Sequence, residues 1–315
     1  MNRHRTALSV LLAAGALVAG ALTAAGPSIA ADAPASFRQQ HTHGFWTAER
    51  MRGAAPLEVT AVPGAARTPV ATSATPRTIA PTAAASPTAF PQAGGAWTGG
   101  GAVVKTSGRV FFTMGDRTAS CSGDSVTSAN GSTVITAGHC VKYQGAWHTN
   151  WVFVPAYNNG SAPYGQWSAT KTFATDQWAA SEDMNMDVGL AVVAPLNGQT
   201  LSQAVGAQGI AFNGGYNKKM YAFGFPAAAP YDGTKLVYCS GNSGKDFLLT
   251  KDHGLGCNMT GGSSGGPWFQ DFNEATGLGT QVSVNSFGYT FLPNRMYGPY
   301  FGNEAKAAYD KAQTS

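Results

Sequence analysis

The chain has 315 residues, a formal net charge of +4 and only 11% charged residues, against 40 glycines and 4 cysteines. This length sets a prior of about two domains with enough chain for a substantial core. Low charge with many glycines and aromatics suits a loop-rich extracellular β protein better than a helical cytosolic one. The lack of a long Lys/Arg cluster argues against nucleic acid as a partner.

At the start, Arg3, His4 and Arg5 precede an Ala/Leu/Val run from Ala7 to Ala25. Ser28 and Ala30 sit three back and one back from a cut before Ala31, the layout of a secretory signal peptide over 1–30. An uncleaved anchor is the alternative, but the run is mostly weakly hydrophobic Ala and Gly, and no second apolar stretch is long enough to span a bilayer. Residues 31–95 read as a propeptide. It opens with a small aromatic and charged cluster (Phe37, Phe45, Trp46, Glu49, Arg50, Met51) and continues as an Ala/Pro/Thr-rich linker. Such a composition buries too little apolar surface to offset chain entropy, so this region is expected to be largely disordered. His41 and His43 lie here without further ligands, and are taken as ordinary polar residues.

From Trp97 short strand-like runs alternate with Gly, Asn and Ser turns, the pattern of an all-β barrel or sandwich. Ala102 to Lys105 and Arg109 to Thr113 are the first candidate strands, followed by Thr133 to Thr136. The cysteines fall into two close pairs, Cys121 with Cys140 and Cys239 with Cys257. Four cysteines allow three connectivities, and spacing alone leaves them open. Disulfides are the expectation in a secreted chain, and the C-x-x-C spacing of a zinc site is absent. The segment from Asn303 to Gln313 has few breakers and reads as a C-terminal helix.

The chemistry centres on Gly261-Gly262-Ser263-Ser264-Gly265-Gly266-Pro267-Trp268. A Gly/Ser-rich stretch alone is more often a flexible loop. Upstream, however, Thr136-Ala137-Gly138-His139-Cys140 ends one apolar run, and Asp187 opens another, Val188 to Val193. A serine hydroxyl needs a neighbouring imidazole to accept its proton, and a buried carboxylate to orient that imidazole. Gly262 to Gly266 also matches the G-x-S-x-G nucleophile elbow, but that fold orders its triad Ser, acid, His, and no histidine lies downstream of Ser264. Asp183 competes for the acid role; Asp187 is preferred because a strand pattern follows it directly. His148 and His253 are assigned to surface or packing roles.

The order His139, Asp187, Ser264 and the surrounding motifs resemble the chymotrypsin/trypsin-like serine peptidases, nearest to the bacterial glutamyl-endopeptidase-like (V8-like) branch. The resemblance covers about residues 97 to 315. It implies two six-stranded antiparallel β-barrels, over 96–200 and 201–315, with the C-terminal helix. It implies His139, Asp187 and Ser264 as the catalytic residues, with the Gly262 and Ser264 N–H groups as oxyanion hole. It also implies disulfides Cys121–Cys140 and Cys239–Cys257. Ser286-Phe287-Gly288 resembles the wall that pairs with an extended substrate, and Gly298-Pro299-Tyr300-Phe301 resembles the strand at the back of the specificity pocket. The resemblance places Asn258, with Met259 beside it, at the position expected to floor the pocket, where a trypsin-like enzyme wants Asp. Asn285 stands where a glutamyl endopeptidase places a histidine. A neutral or polar preference follows. Ser263 replaces the usual acidic residue before the nucleophile, and no Ile-Val-Gly-Gly start is present, so activation is expected by propeptide removal.

The expected protein is therefore a secreted, monomeric serine endopeptidase acting on proteins or peptides. No metal or organic cofactor is called for, and no stable membrane association is expected after signal cleavage. Because its histidine must be neutral to act as base, a neutral to alkaline optimum is expected. The rival readings are a silent binding or adhesion module on the same fold and an esterase using the same triad.

Overall fold

A computed structural model describes residues 35–61, 74–79 and 90–315. The signal-peptide segment lies outside the described residues.

The first half is a closed barrel of six antiparallel strands: β1 (Ser107–Met114), β2 (Arg117–Ser125), β3 (Thr133–Thr136), β4 (Thr149–Pro155), β5 (Trp167–Ala174) and β6 (Gly189–Val193). The order runs β5-β4-β1-β2-β3-β6, and β5 also pairs with β6, which closes the ring. The turn from β1 to β2 has two residues, Gly115 and Asp116, between the paired Met114 and Arg117. Gly115 takes φ +58°, the left-handed backbone that a two-residue hairpin demands. Val110, Phe112, Val134, Phe153 and Leu190 are fully buried in the core this barrel surrounds.

The second half continues the all-β architecture. It consists of two sheets. One has the order β7 (Gly209–Phe212), β12 (Leu278–Val284), β11 (Pro267–Asn273), β8 (Lys219–Gly224), β9 (Val237–Asn242), with β7 and β12 running parallel. The other joins β10 (His253–Gly256), β14 (Leu292–Gly298) and β13 (Phe287–Tyr289). The Cys239–Cys257 disulfide links β9 to the residue after β10, and so staples one sheet to the other. Cys121–Cys140 forms as well, and both pairings are those the resemblance implies. The C-terminal helix α1 (Asn303–Gln313) buries Ala305, Ala308, Tyr309 and Ala312, which share one face at helical spacing. It docks on the first barrel, where Tyr309 Oη donates to the Thr127 carbonyl and Asn130 Nδ2 to that of Ala312.

The described parts of the region expected to be largely disordered carry regular structure. Ser36–Arg38 adds to the β5 edge, and Arg77–Ile79 adds to β7. Gln92–Ala96 pairs with β9. A short helix, Ala48–Gly53, is capped by Thr47, whose side chain accepts from the Arg50 N–H. Trp46 and Met51, with Ala54, bury themselves against barrel residues Phe111 and Val152. The region cannot form a core of its own, but it adds strands and aromatic anchors to one already built.

His148 and His253 are both buried. The His148 ring stacks on Phe112 with centroids 4.4 Å apart, and burial pushes it down to about 4. The His253 ring packs among Tyr216, Tyr300 and Trp268, and burial pushes it down to about 4 as well. A histidine depressed on folding stabilises above its unfolded value of about 6.5, and that contribution is lost as pH falls toward 4. Buried Asp124, pushed up to about 8 by desolvation, acts in the opposite sense: its contribution is present below its unfolded value and is lost as pH rises through about 8. Melting temperature is therefore expected to drop steeply between pH 6.5 and 4. His253→Phe should flatten that limb by on the order of 3 kcal/mol. An unchanged acid limb in the variant would contradict this account.

Candidate active site

Strand β3 ends at Thr136 and the chain turns through one 3-10 turn, Gly138–Cys140. Glycine is required at 138, since a Cβ there would lie 2.7 Å from the fully buried Trp178 ring. The disulfide to Cys121 on β2 holds the turn from one side. On the other, His148 Nε2 lies 2.9 Å from the His139 carbonyl and donates to it.

Asp187 ends the short turn Met184–Met186 and leads into β6. Its carboxylate accepts three hydrogen bonds: from the His139 N–H at 2.7 Å, from His139 Nδ1 at 2.7 Å and from Ser286 Oγ at 2.5 Å. Both residues are fully buried. Nδ1 carries the proton in this pair, so Nε2 is the basic nitrogen, and it has no hydrogen-bond partner among the described residues. Asp183, the rival for the acid role, instead caps the 3-10 turn, its side chain accepting from the Asn185 N–H.

Ser264 sits in a tight turn. The Ser263 N–H and hydroxyl both donate to the Thr260 carbonyl, and the Gly266 N–H donates to that of Ser263. Gly262 and Gly265 take φ +92° and +80°. A Cβ on Gly265 would lie 2.0 Å from Thr136 Oγ1 and 2.4 Å from the Ser122 carbonyl, so the turn presses against the barrel as only glycine allows. Both halves of the molecule hold it. Ser122 donates from its N–H to the Ser264 carbonyl and from its hydroxyl to the Gly262 carbonyl. Asn285 accepts from the Gly265 N–H on its carbonyl, and its amide nitrogen donates to the Ser263 and Phe223 carbonyls. Neither Ser122 nor this use of Asn285 was foreseen from sequence, because each contact joins residues with no local motif between them.

A cavity of about 230 Å³ opens beside Ser264, with Asn258, Met259, Ser286, Phe287 and Gly288 among its lining residues. Of the residues expected to bind substrate, Asn285 and Tyr300 are not in that lining. The Asn285 amide is consumed by the turn, and its Oδ1 accepts from Trp268 Nε1 at 2.7 Å. Tyr300 is buried behind, stacked on Tyr216 and His253. Asn258 does face the cavity, its Oδ1 accepting from Tyr231 Oη at 2.6 Å. Arg295 and Glu58 join the lining unforeseen.

The described residues hold one His/Cys grouping tight enough for a metal: Cys121, His139 and Cys140. Its two sulfurs are bonded to each other, which leaves no thiolate to ligate.

No family model matches the chain. Among curated proteins, an extracellular metalloprotease of Bacillus subtilis is 41% identical over 61 residues, 19% of this chain; the match spans about a fifth of that relative's length. Among solved structures, the protease Anisep from Arthrobacter nicotinovorans is 46% identical with a TM-score of 0.64, covering 68% of this chain and 98% of its own. The thermostable serine protease AL20, from an extremophilic microorganism, is 43% identical with the same TM-score, covering 68% and 99%. A Glu endopeptidase shares the fold at 15% identity and a TM-score of 0.56. With its closed six-stranded barrel, the sheets that follow and two close relatives of nearly full coverage, the chain belongs to the chymotrypsin-like serine peptidases.

Proposed function

We propose that the protein is a secreted endopeptidase in which Ser264, His139 and Asp187 cleave peptide bonds through an acyl-enzyme. The observation that carries this reading is the His139–Asp187 pair at 2.7 Å, whose tautomer leaves Nε2 as a base. Ser264 Oγ attacks the scissile carbonyl carbon as its proton passes to His139 Nε2. The Gly262 and Ser264 N–H groups receive the oxyanion. On collapse the C–N bond breaks and the amine departs with the proton from His139. Water then adds to the acyl-enzyme, giving one proton back through His139 to Ser264 and releasing the carboxylic acid. Asp187 keeps its charge throughout and stabilises the imidazolium.

Substrate adds as an antiparallel strand to the edge at Ser286, Phe287 and Gly288, with its acyl half there and its leaving half toward Ser120 and Cys121. The cavity floor at Asn258 and Met259 suits a neutral or polar side chain. Secretion is supported by the disulfides and by the leader's sequence. The mature peptidase is read as 96–315, monomeric, freed from signal 1–30 and propeptide 31–95.

The test is fluorophosphonate labelling with intact-mass detection, beside Ser264→Ala. One adduct, lost in the variant, is expected. No adduct on the folded, processed protein would sink the reading and favour a silent binding module. Matched peptide ester and protein substrates, run in parallel, separate an endopeptidase from an esterase.

A further inference from the structure

The chain's own residues 55–61 lie in this cleft. The Leu57 carbonyl accepts from the Gly262 N–H at 3.0 Å and from Ser264 Oγ at 3.3 Å. Its oxygen thus bonds one of the two N–H groups assigned to the oxyanion. The Leu57 N–H donates to the Ser120 carbonyl at 2.9 Å. On one side Ala55 and Pro56 pair with Ala119 and Ser120 of β2; on the other Val59 and Thr60 pair with Phe287 and Gly288 of β13. Both pairings are parallel. Leu57, Val59 and Ala61 are buried and alternate with the exposed Glu58 and Thr60, so the segment is a strand with one face sealed into the enzyme.

We propose that this segment is an inhibitor bound with reversed polarity: the cleft accepts an extended peptide in two directions, one cleaved and the other not, and the precursor is kept latent by the second. The inference rests on the assignment of Ser264 and Gly262 above. A substrate antiparallel to β13 keeps its acyl half on that edge. Here the acyl half of the Leu57–Glu58 bond, Ala55 and Pro56, lies along β2 beside Cys121, whose disulfide ties it to the His139 turn. The amine half, Glu58 to Thr60, lies along the edge instead.

Two consequences protect the bond. The Ser264 hydroxyl spends its proton on the Leu57 oxygen, whereas attack requires that proton on His139 Nε2 and an oxygen lone pair at the carbonyl carbon. Moreover both halves are anchored. Upstream, Trp46 Nε1 donates to the Asn150 carbonyl at 2.6 Å, and Ser36–Arg38 is a strand of the barrel sheet. Downstream, Val59 is 4% exposed in a core cluster it shares with Phe287. An amine held in place recombines with its acyl group rather than diffusing away, because its effective concentration stays high.

The experiment compares the full-length chain with its Val59→Asp and Leu57→Gly variants. By hydrogen exchange, peptides covering 55–61 and the Gly262 turn are expected to be protected in the parent and at least tenfold faster in the variants. Fluorophosphonate labelling of Ser264 should be at least tenfold slower in the parent than in the variants. Mass analysis after long incubation should find no cut between Leu57 and Glu58. Fast exchange across 55–61 in the parent, equal labelling rates in parent and variants, or cleavage at Leu57–Glu58 overturns the proposal. If exchange behaves as expected but no form labels, the failure lies with Ser264 activation, and occupancy of the cleft stands. Should Val59→Asp not fold, Leu57→Gly and the exchange of the parent decide the matter.

Discussion

Ser264→Ala is expected to lower kcat on a peptide substrate by roughly 10⁶-fold, and His139→Ala by about as much. The double variant should be scarcely worse than either alone. The reason is that the two side chains perform one proton transfer: without the base the hydroxyl is a poor nucleophile, and without the hydroxyl the base has nothing to activate. KM should change little, since the cavity at Asn258 and the edge at Phe287 and Gly288 are intact in all three. A residual rate of about 10³ over water is expected from the oxyanion N–H groups and binding. The measurement is kcat and KM for both single variants and the double, on processed enzyme, with folding checked by thermal melting. Losses that multiplied in the double variant would mean that Ser264 and His139 act in separate steps, and the mechanism would have to be rewritten.

What could be read in the sequence was the candidate site, held in short motifs. His139 and Ser264 lie in runs whose glycines have mechanical reasons. Gly138 faces the Trp178 ring and Gly265 faces Thr136 and Ser122, so the motif records contacts that only those residues permit. Asp187 was legible because a strand follows it directly, and β6 is that strand. Pairing across long separations was not legible. The parallel contact of β7 with β12 joins residues about seventy positions apart, and no local pattern encodes it. The same holds for Asn285, whose amide reaches Phe223 and Ser263 instead of the cavity. The segment at Leu57 was the costliest omission. Its Leu57, Val59, Ala61 alternation is a strand signal, but a period-two pattern this short is swamped by the Ala, Pro and Thr around it. Composition reports whether a stretch can fold by itself. It says nothing of a stretch that completes someone else's sheet, and here the described parts of residues 35–96 do that in five separate pairings.

Asp187→Asn should leave a folded protein whose kcat is about 10⁴-fold lower, with KM little changed. The carboxylate presents only acceptors to the His139 N–H, to Nδ1–H and to the Ser286 hydroxyl. An asparagine can keep its oxygen on one of these, but its NH₂ must then face the others. Facing Nδ1, that NH₂ is a donor, so Nδ1 becomes the acceptor and the ring proton moves to Nε2. Nε2–H cannot take the proton from Ser264, and the base is lost although every heavy atom stays in place. Ser286→Ala tests the same carboxylate more gently. It removes one charge-assisted hydrogen bond, of about 1.5–3 kcal/mol, and should cost roughly 10- to 100-fold in kcat if the whole of that energy is felt in the transition state. In the Asp187→Asn background the Ser286→Ala change should cost far less, because its partner is no longer an anion. A Ser286→Ala penalty of the same size in both backgrounds would show that Ser286 acts on the substrate directly and not through Asp187.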